Sequence, residues 1–447
     1  MYLGRKLDQD LQRWYRSRNR KPLVLQGARQ TGKSTSVRQF GKTAPLYVEL
    51  NLERFDDLRL TRNVSGPEEL LQAIKSRTNV STLPTGTVIF IDEIQENLAT
   101  IPWLRFFHED HPELAVIVAG SYLGIRMGRA GFSFPVGRVT FRRLAPLSYF
   151  EFADAHERQV LAKQLLDGFH GKKAPPEAVH LQALELLKSY VSVGGMPEAV
   201  SAYLETGNPE AAKTVHKDLR QALAEDIQKY PGDTRAIEEV FEHMREAYGL
   251  RFKNERLVPN QSGVKTGEAL KTLAGAMLVH LVSPTVSLQA PLVISSRIAR
   301  KLVPLDIGMA LSDFGLSGGG LQQASLEDTL GGRFAECLVG QQLLSNPTHS
   351  PRNLCYWVRQ KRKSDAEVDF LLETADGFLP VEVKSGATGT LRSLHQLLLR
   401  SGLRRAVRLY SGQLDARTLT VDMGDDKLEY LLTSLPLYMA ELLVDPP

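Results

Sequence analysis

Eight residues near the start of the chain have the types and spacing of a phosphate-binding loop. They run from Gly27 to Ser34 and read Gly-Ala-Arg-Gln-Thr-Gly-Lys-Ser, the Walker A pattern. Gly27 and Gly32 allow backbone angles that other residues avoid, so the loop can wrap a phosphate with its N–H groups. We expect Lys33 to contact the β- and γ-phosphates and Ser34 to ligate Mg²⁺. With Thr35, these residues predict binding of ATP and Mg²⁺.

A second pair of reactive side chains ends a short apolar run further along the chain. Residues 88–91 lead directly into Asp92 and Glu93, the pattern of a Walker B strand. A buried parallel strand delivers such carboxylates at its C-terminal end, the edge at which α/β sheets bind ligands. We expect Asp92 to hold Mg²⁺ and Glu93 to act as general base on the attacking water. The two acids add hydrolysis to the predicted nucleotide binding.

Further candidates for contact with the γ-phosphate follow the apolar run 115–120. Ser121 lies where ATPases with an extra strand between the two Walker strands sense the γ-phosphate; an ordinary turn serine is the alternative. Arg126, Arg129 and Arg138 come next. An arginine supplied to a neighbouring subunit stabilises the transferring charge and makes hydrolysis depend on assembly. Arg138 is the preferred candidate, with a plain surface arginine as the alternative.

The elements that must position these residues follow from the hydrophobic pattern. Short apolar runs alternate with helical spacing, which is typical of a parallel α/β sheet. The predicted strands are 23–26, 45–52, 88–91 and 115–120, and the predicted helices are 7–18, 34–40, 54–61 and 67–77. This order predicts a strand, a phosphate loop and a helix in succession, as Walker A requires.

A second group of charged residues lies in the C-terminal third of the chain. Because side chains alternate along a strand, Glu382 and Lys384 project together, and an even-numbered loop places Asp369 on their face. A core face would not carry these charges unpaired. Two carboxylates can hold Mg²⁺ or Mn²⁺, while Lys384 orients or deprotonates the water and steadies the charge on the phosphate. The pattern predicts a hairpin with strands at 366–372 and 379–385 and a turn at 374–377.

Glu336, in the predicted helix 333–344, is a third candidate ligand for that ion. An acid on a helix, an aspartate on a strand and Glu-x-Lys on the next strand together resemble the PD-(D/E)XK nuclease superfamily. The resemblance implies metal-dependent cleavage of phosphodiester bonds, with Glu336, Asp369, Glu382 and Lys384 as catalytic residues. An inherited nuclease fold used only for binding is the alternative.

The middle of the chain is helix-rich and then basic. Helices near 235–248 and 264–278, followed by strand-like runs at 278–282 and 292–298, suggest a winged helix. Its basic residues would contact phosphates if they share a face; a solvated surface or subunit contacts are the alternatives. The run 359–363, beside Tyr356 and Trp357, suggests a phosphate-gripping loop with a stacking surface, unless it is merely solvated. The basic residues are Arg251, Lys253, Arg256, Lys265, Lys271, Arg297, Arg300 and Lys301.

Three further runs resemble a bacterial and archaeal family of AAA-type ATPases. They are Gly137-Arg138, residues 144–152 (Leu-Ala-Pro-Leu-Ser-Tyr-Phe-Glu-Phe) and residues 194–200 (Gly-Gly-Met-Pro-Glu-Ala-Val). Members of this family join the ATPase core to a C-terminal region described only as a domain of unknown function. The resemblance implies a helical lid over the nucleotide and a nucleotide-driven ring or partial ring. We therefore expect a homo-oligomer, with a hexameric ring as one form.

Length and composition set the outer limits. A chain of 447 residues is too long for one core, and its net charge of +4 allows a polyanionic partner without requiring one. We expect Cys337 and Cys355 to be reduced rather than paired. No run resembles a signal peptide or reaches membrane-spanning length, which favours a cytoplasmic protein without a membrane partner. The expected fold is multidomain α/β: an AAA-type P-loop core (1–155), a helical lid (156–232), a winged-helix-like domain (233–312), a linker (315–320) and a PD-(D/E)XK-like α/β domain (321–447).

Both predicted chemistries act on phosphate, and this leads to one main hypothesis. ATP hydrolysis in the N-terminal core would reposition DNA, and the C-terminal site would cut it with Mg²⁺ or Mn²⁺. One alternative is a regulatory ATP switch, as in defence or mobile-element systems, whose nuclease-like domain only binds DNA or a protein partner. Another is an assembly clamp whose output is oligomerisation.

Overall fold

The computed structural model describes most of the chain, and its contacts form two compact units. The N-terminal unit comprises Met1–Ala145, Lys229–Gly232 and Gly275–Met277, and the C-terminal unit the remainder. The four predicted domains divide the chain more finely than these units do, and their boundaries stay a prediction. The described residues are 1–123, 133–288, 292–295, 297–316, 326–348, 354–359, 366–374, 377–386, 390–423 and 426–444.

The N-terminal unit contains a five-stranded parallel sheet in the order β2-β3-β4-β1-β5. Strand β4 therefore lies between the strands that end in the Walker A and Walker B motifs, and the predicted extra strand is confirmed. The sheet joins β1 (Leu23–Gln26), β2 (Tyr47–Asn51), β3 (Val88–Asp92), β4 (Ala115–Gly120) and β5 (Thr140–Arg143).

Helices cover both faces of this sheet because its strands are apolar on both sides. Val24, Ile89 and Val118 belong to one buried cluster, while Leu25 and Phe90 belong to the other. The helices are α1 (Lys6–Arg16), α2 (Lys33–Gly41), α3 (Phe55–Asn63), α4 (Pro67–Thr78) and α5 (Trp103–Asp110), with a 3₁₀-helix at Ile94–Thr100. The elements predicted for this region are confirmed, with bounds shifted by a few residues.

The C-terminal unit begins with a helical region, as predicted for residues 156–232. Its helices are α6 (Tyr149–Ala155), α7 (Gln159–His170), α8 (Glu177–Val193), α9 (Pro197–Thr206), α10 (Pro209–Asp226), α11 (Thr234–His243), α12 (Asn254–Leu257) and α13 (Gly263–Gly275). Later helices are α14 (Ile307–Asp313), α15 (Leu326–Leu330), α16 (Arg333–Leu343) and α17 (Arg392–Ser401). The 3₁₀-helices are Ile227–Lys229, Met244–Ala247 and Leu437–Val444.

Two of the runs that carry the family resemblance have structural roles. Ser148 caps α6: its hydroxyl accepts a hydrogen bond from the Glu151 N–H at 3.2 Å, and the Glu151 carboxylate accepts one from the Ser148 N–H at 2.9 Å. Gly194, with φ +73°, leaves no room for a side chain, because a Cβ there would lie 2.0 Å from Asp306 Oδ1. The Gly195 N–H donates to Asp306 Oδ2 at 2.6 Å. These residues fix where α8 ends.

Two mixed sheets complete the C-terminal unit. Their orders are β7-β6-β8-β9 and β10-β11-β12-β14-β13. The first contains β6 (Val279–Thr285), β7 (Lys301–Pro304), β8 (Leu354–Val358) and β9 (Glu367–Val368). The second contains β10 (Phe370–Thr374), β11 (Gly377–Val383), β12 (Arg405–Tyr410), β13 (Asp415–Met423) and β14 (Asp426–Pro436).

The predicted C-terminal hairpin is confirmed in its register. Phe370 pairs with Val381 across the antiparallel strands β10 and β11. Continuing that register by one residue places Asp369 opposite Glu382, on the same face of the hairpin. The turn residues 375–376 lie outside the described part of the chain.

The predicted strand at 292–298 is wrong for the described residues of that run, 292–295 and 297–298. β6 pairs instead with Lys301–Pro304, and Ile294 makes an isolated bridge to Thr285. Val293 and Ile294 are exposed, so this apolar run lacks the burial that would stabilise a strand. β6 also pairs in parallel with β8, which lies beyond the predicted linker at 315–320; residues 317–320 of that linker lie outside the described ranges.

Tyr356 and Trp357 are buried in β8, so the predicted stacking surface there is wrong; residues 360–363 of the adjacent basic run lie outside the described ranges. Cys337 and Cys355 are both free and buried, as expected. Among the described residues, no helix combines the length and apolarity needed to cross a membrane.

Candidate functional site

The Walker A loop has the backbone that phosphate binding requires. Gly32 adopts φ +94° at the N-terminus of α2, a left-handed conformation that favours glycine. A Cβ on Gly27 would lie 2.5 Å from the Leu144 carbonyl oxygen, so only glycine fits. The loop is also held from outside, because the Arg5 guanidinium donates to the Thr31 carbonyl at 2.9 Å. Sequence reasoning missed Arg5, whose only signal was a basic residue before the first helix.

Lys33 points back over its own loop. Its ammonium donates to the Gly27 and Ala28 carbonyls at 2.9 and 2.8 Å and to the Ser121 hydroxyl at 3.2 Å. Burial lowers the pKa of Lys33 to about 8, although Glu93 and Asp92 oppose the shift. A buried ammonium on neutral oxygens is well placed for an incoming phosphate. This contact places Ser121 beside the Walker A lysine, and its predicted role in sensing the γ-phosphate stays a prediction.

Ser34 and Asp92 face each other where the two Walker motifs meet. The Ser34 hydroxyl donates to Asp92 Oδ2 at 2.5 Å, and burial raises the pKa of Asp92. This hydroxyl–carboxylate pair at a helix N-terminus fits Mg²⁺, which prefers oxygen ligands and takes few from protein. When bound, the ion would neutralise charge on the phosphates. Thr35 lies exposed in the first turn of α2.

Glu93 is held in an unusual backbone conformation. Its φ is +51°, in the left-handed region that favours glycine, and such strain clusters at functional sites. Burial raises the pKa of Glu93, and its carboxylate accepts a hydrogen bond from Gln95. A raised pKa favours the predicted role as general base on water. Gln95, which orients this carboxylate, was not predicted.

Arg138 lies on the N-terminal unit and is 44% exposed in its side chain. Its guanidinium pairs with Glu109 of α5 at 2.7 Å. Arg126 and Arg129 lie outside the described residues. The proposed action of Arg138 on a neighbouring subunit stays a prediction.

A second cluster forms in the C-terminal unit around the hairpin. Asp369 accepts a hydrogen bond from the Val383 N–H at 2.8 Å, and Lys384 donates to Glu382 at 2.7 Å. Glu336 projects from α16 into the same cluster. The predicted acids are therefore brought together.

Lys301 occupies the centre of this cluster, which the sequence did not indicate. Its ammonium lies 2.5 Å from Glu336 Oε2 and 3.6 Å from Asp369 Oδ1, and it also pairs with Glu367. Burial opposes its charge, but the surrounding carboxylates raise the pKa of Lys301. We call Lys301 and these three acids the acidic site. The predicted place of Lys301 on a basic surface is wrong, because β7 carries its side chain into the fold, where it is only 4% exposed.

One of the two carboxylate oxygens of Glu382 has no hydrogen-bond partner among the described residues. Its Oε1 accepts from Lys384, whereas its Oε2 is buried and has no hydrogen-bond partner within the described residues. Burial, and then the neighbouring Asp369, raise the pKa of Glu382 to about 8. A buried, unpartnered oxygen favours a proton or a cation beside it.

The carboxylate oxygens around Lys301 are of the type that binds a divalent hard cation, and a metal ion there would compete with the ammonium for the same three residues. Carboxylate oxygens of Glu336, Glu367 and Asp369 lie within 4.8 Å of one another, with Glu382 beside Asp369. Mg²⁺ and Mn²⁺ prefer such oxygens, and either would polarise a phosphate and lower the pKa of water. Glu367 is a ligand candidate that sequence reasoning missed. Its only signal was alternation with Asp369.

Comparison with known families divides the chain into three parts. Residues 19–153 match an AAA domain, residues 184–318 match the domain of unknown function DUF8612, and residues 331–423 match the domain of unknown function DUF4143. No curated protein matches the chain.

Two solved structures are similar to the chain. One is a Walker-type ATPase of Pyrococcus abyssi, with 14% identity over 70% of this chain and 96% of that chain and a TM-score of 0.42. The other is Drosophila ORC bound to DNA, with 15% identity over 69% of this chain and 94% of that chain and a TM-score of 0.27. At these TM-scores neither likeness bears on function. With the Walker geometry and the family match, the chain carries a P-loop AAA ATPase domain, followed by two domains of unknown function.

Proposed function

We propose that this ATPase couples hydrolysis of Mg²⁺-ATP to metal-dependent cleavage of the phosphodiester backbone of DNA. One observation carries the proposal: Asp369, Glu382 and Lys384 meet on one face of a hairpin, with an unpartnered carboxylate oxygen on Glu382. Pairing with Glu382 raises the pKa of Lys384 although burial opposes it, so Lys384 stays an ammonium that can steady phosphate charge.

The order of elements around this hairpin supports a PD-(D/E)XK-like domain. Helix α16 carries Glu336, strands β8 to β11 follow, and β12 joins β11 in parallel after α17. A winged-helix-like role for residues 233–312 is supported less, because their hairpin forms part of a larger sheet. We keep that domain as a packing and DNA-contacting region.

Cleavage is tested with a panel of linear, forked, nicked and four-way DNAs, each with and without ATP and Mg²⁺. Asp369→Asn should lose cleavage and keep ATP turnover, since Asp369 lies outside the Walker site. Thr374→Asn, at the exposed end of β10, the strand that begins directly after Asp369, is the matched control. Undiminished cleavage by Asp369→Asn would rule out the proposed site.

Lys301 favours a second candidate function, a regulatory ATP switch. Its ammonium already lies among three carboxylates, so their negative charge is partly neutralised without a metal ion. The C-terminal unit would then only bind DNA or a protein partner. Calorimetric titration with Mn²⁺ separates the two candidates. Uptake by the wild type that is lost in Glu382→Gln supports the nuclease. Mn²⁺ uptake by the Lys301→Met variant but not by the wild type supports the switch.

Assembly is the remaining part of the proposal. The homo-oligomer expected from the family resemblance would place Arg138 of one subunit at the nucleotide of the next. Turnover per subunit should then rise with protein concentration in the wild type and in Glu109→Ala, but not in Arg138→Ala. Equal turnover by Arg138→Ala at every concentration would remove this arginine from the mechanism.

A further inference from the structure

We propose that a basic groove in the C-terminal unit binds the backbone of single-stranded DNA. The groove is a cavity of about 410 Å³ lined by residues 252–255 on one side and 297–300 on the other. The choice of DNA as ligand rests on the proposed function. The groove itself lies outside the acidic site and outside the Walker motifs.

The charges on its walls point to an anionic ligand. Lys253, Arg297 and Arg300 line the groove, against one carboxylate, Glu255. None of the three cations forms an ion pair with another described residue. Cations that line one groove raise the local positive potential, which favours binding of phosphates there.

The position of the groove connects it to the acidic site. Its first wall starts directly after Arg251, whose guanidinium pairs with Glu367 at 2.9 Å. Its second wall ends directly before Lys301, at the centre of the acidic site. Lys253 therefore lies two residues along its wall from Arg251, and Arg300 lies one residue along its wall from Lys301. A phosphate held by Lys253 or Arg300 would be bound next to a residue that contacts the carboxylates of the acidic site.

An aromatic side chain favours a single strand as the occupant. Phe252 is half-buried and lines the groove, and its N–H donates to the Arg300 carbonyl at 3.0 Å, which ties the two walls together. Proteins that bind single strands combine a positively charged groove with aromatic rings on which bases stack. The bases of a duplex are stacked on each other and would not use this ring.

The first test measures binding of a fluorescent oligothymidine by anisotropy, in EDTA and without nucleotide, over a range of salt concentrations. Lys253→Glu/Arg297→Glu should weaken binding at least about tenfold, and its salt slope should fall by about 0.7 for each phosphate that the protein no longer neutralises. Lys217→Glu, an exposed lysine of α10 that does not line the groove and lies outside the basic segment, is the control. Unchanged affinity in the double variant, or an equal loss in Lys217→Glu, would overturn the proposal.

The second test concerns the single strand. Phe252→Leu keeps an apolar side chain and should weaken binding of the oligothymidine by about tenfold, the loss of one stacked base. It should not change binding of a blunt duplex. Tighter binding of the duplex, with no effect of Phe252→Leu on either probe, would overturn a single-strand site.

These outcomes are separable from those of the nuclease proposal, because EDTA removes the metal that cleavage needs. Groove-dependent binding without cleavage at any metal concentration would reject the nuclease and keep the groove. Cleavage by the wild type that Lys253→Glu/Arg297→Glu retains in full, together with unaltered binding, would reject the groove and keep the nuclease.

Discussion

Lys33 and Lys301 are both buried ammonium groups, but they have opposite surroundings. Lys33 contacts two backbone carbonyls and a hydroxyl, and it makes no ion pair with a described carboxylate; burial lowers its pKa to about 8. Lys301 contacts three carboxylates, which raise its pKa in spite of burial. The first charge is available for an anion from solution. The second is already neutralised by the fold.

The difference shows how one residue type can serve binding in one place and stability in another. A buried charge is costly unless it is paired, so an unpaired one persists only where the surrounding structure holds it. The backbone strain at Glu93 and the tight loop around Gly27 are further costs at the same site. We therefore expect substitutions at Lys33 to change turnover and substitutions at Lys301 to change stability.

The largest expected effect is on ATP hydrolysis by Lys33→Ala. Turnover should fall by at least about a hundredfold, because the variant loses a charge that stabilises the transferring phosphoryl group. Its free energy of unfolding should not fall, since the variant also removes a poorly solvated ammonium. Phosphate release and urea unfolding measure the two quantities. Lys42→Ala, at the exposed end of α2, should match the wild type in both, and a Lys33→Ala protein with most of its turnover would break the comparison.

Lys301→Met should have the opposite profile. It leaves Glu336, Glu367 and Asp369 without their central cation, and removing one partner of a buried ion pair typically costs about 3–5 kcal/mol. We expect the C-terminal unit of Lys301→Met to unfold at a lower urea concentration than that of the wild type, measured by the fluorescence of Trp357 in proteins whose Trp14 and Trp103 are replaced by Phe. Lys271→Met is the exposed control. Equal stability of Lys301→Met and the wild type would show that the carboxylates do not depend on this lysine.

A second substitution sharpens this result. Glu336→Gln in the Lys301→Met background removes one of the uncompensated charges and keeps the shape of the side chain. The double variant should be more stable than Lys301→Met, with a coupling energy of about 0.5–3 kcal/mol between the two positions. Measurement of all four proteins in one urea series gives that energy. Strict additivity would mean that Lys301 and Glu336 do not interact in solution.

The sequence was enough to predict the Walker site because its chemistry is local. Gly32, Lys33 and Ser34 are adjacent, and the strand, loop and helix that position them are consecutive. The register of the C-terminal hairpin was predictable for the same reason, since alternation alone puts Asp369 and Glu382 on one face.

The acidic site could be predicted only in part because its members come from distant segments. Lys301 lies on β7, and no local pattern shows that this strand pairs beside β6 and faces α16. From the sequence alone, a lysine at position 301 is expected on the surface, and only the tertiary fold shows that it is buried. The apolar content of the run 292–298 predicts a strand there, but burial decides, and Val293 and Ile294 are exposed.

The smallest expected effect is an acid sensitivity contributed by four histidines of the C-terminal unit. Burial lowers the pKa of His156, His180, His216 and His395, all in that unit. At these four rings the unfolded state therefore binds more protons than the folded state, so their contribution to stability is present above the ordinary histidine pKa of about 6.5 and is lost as pH falls below it. Glu336 and Glu382, whose pKa values are raised by burial, contribute with the opposite sign.

His216 offers the sharpest test of this sensitivity. Its ring nitrogen hydrogen-bonds to the Val193 carbonyl at 2.9 Å, and burial lowers its pKa although Asp306 opposes the shift. His216→Gln can keep that hydrogen bond without titrating. Between pH 7.5 and 5.5, the unfolding temperature of this variant should fall less than that of the wild type. The difference should be about 2–4 °C for each kcal/mol by which the substitution reduces the loss of unfolding free energy in acid. The exposed His170→Gln should follow the wild type. A parallel pH profile for His216→Gln would mean that burial of this ring does not contribute to the difference between the two units.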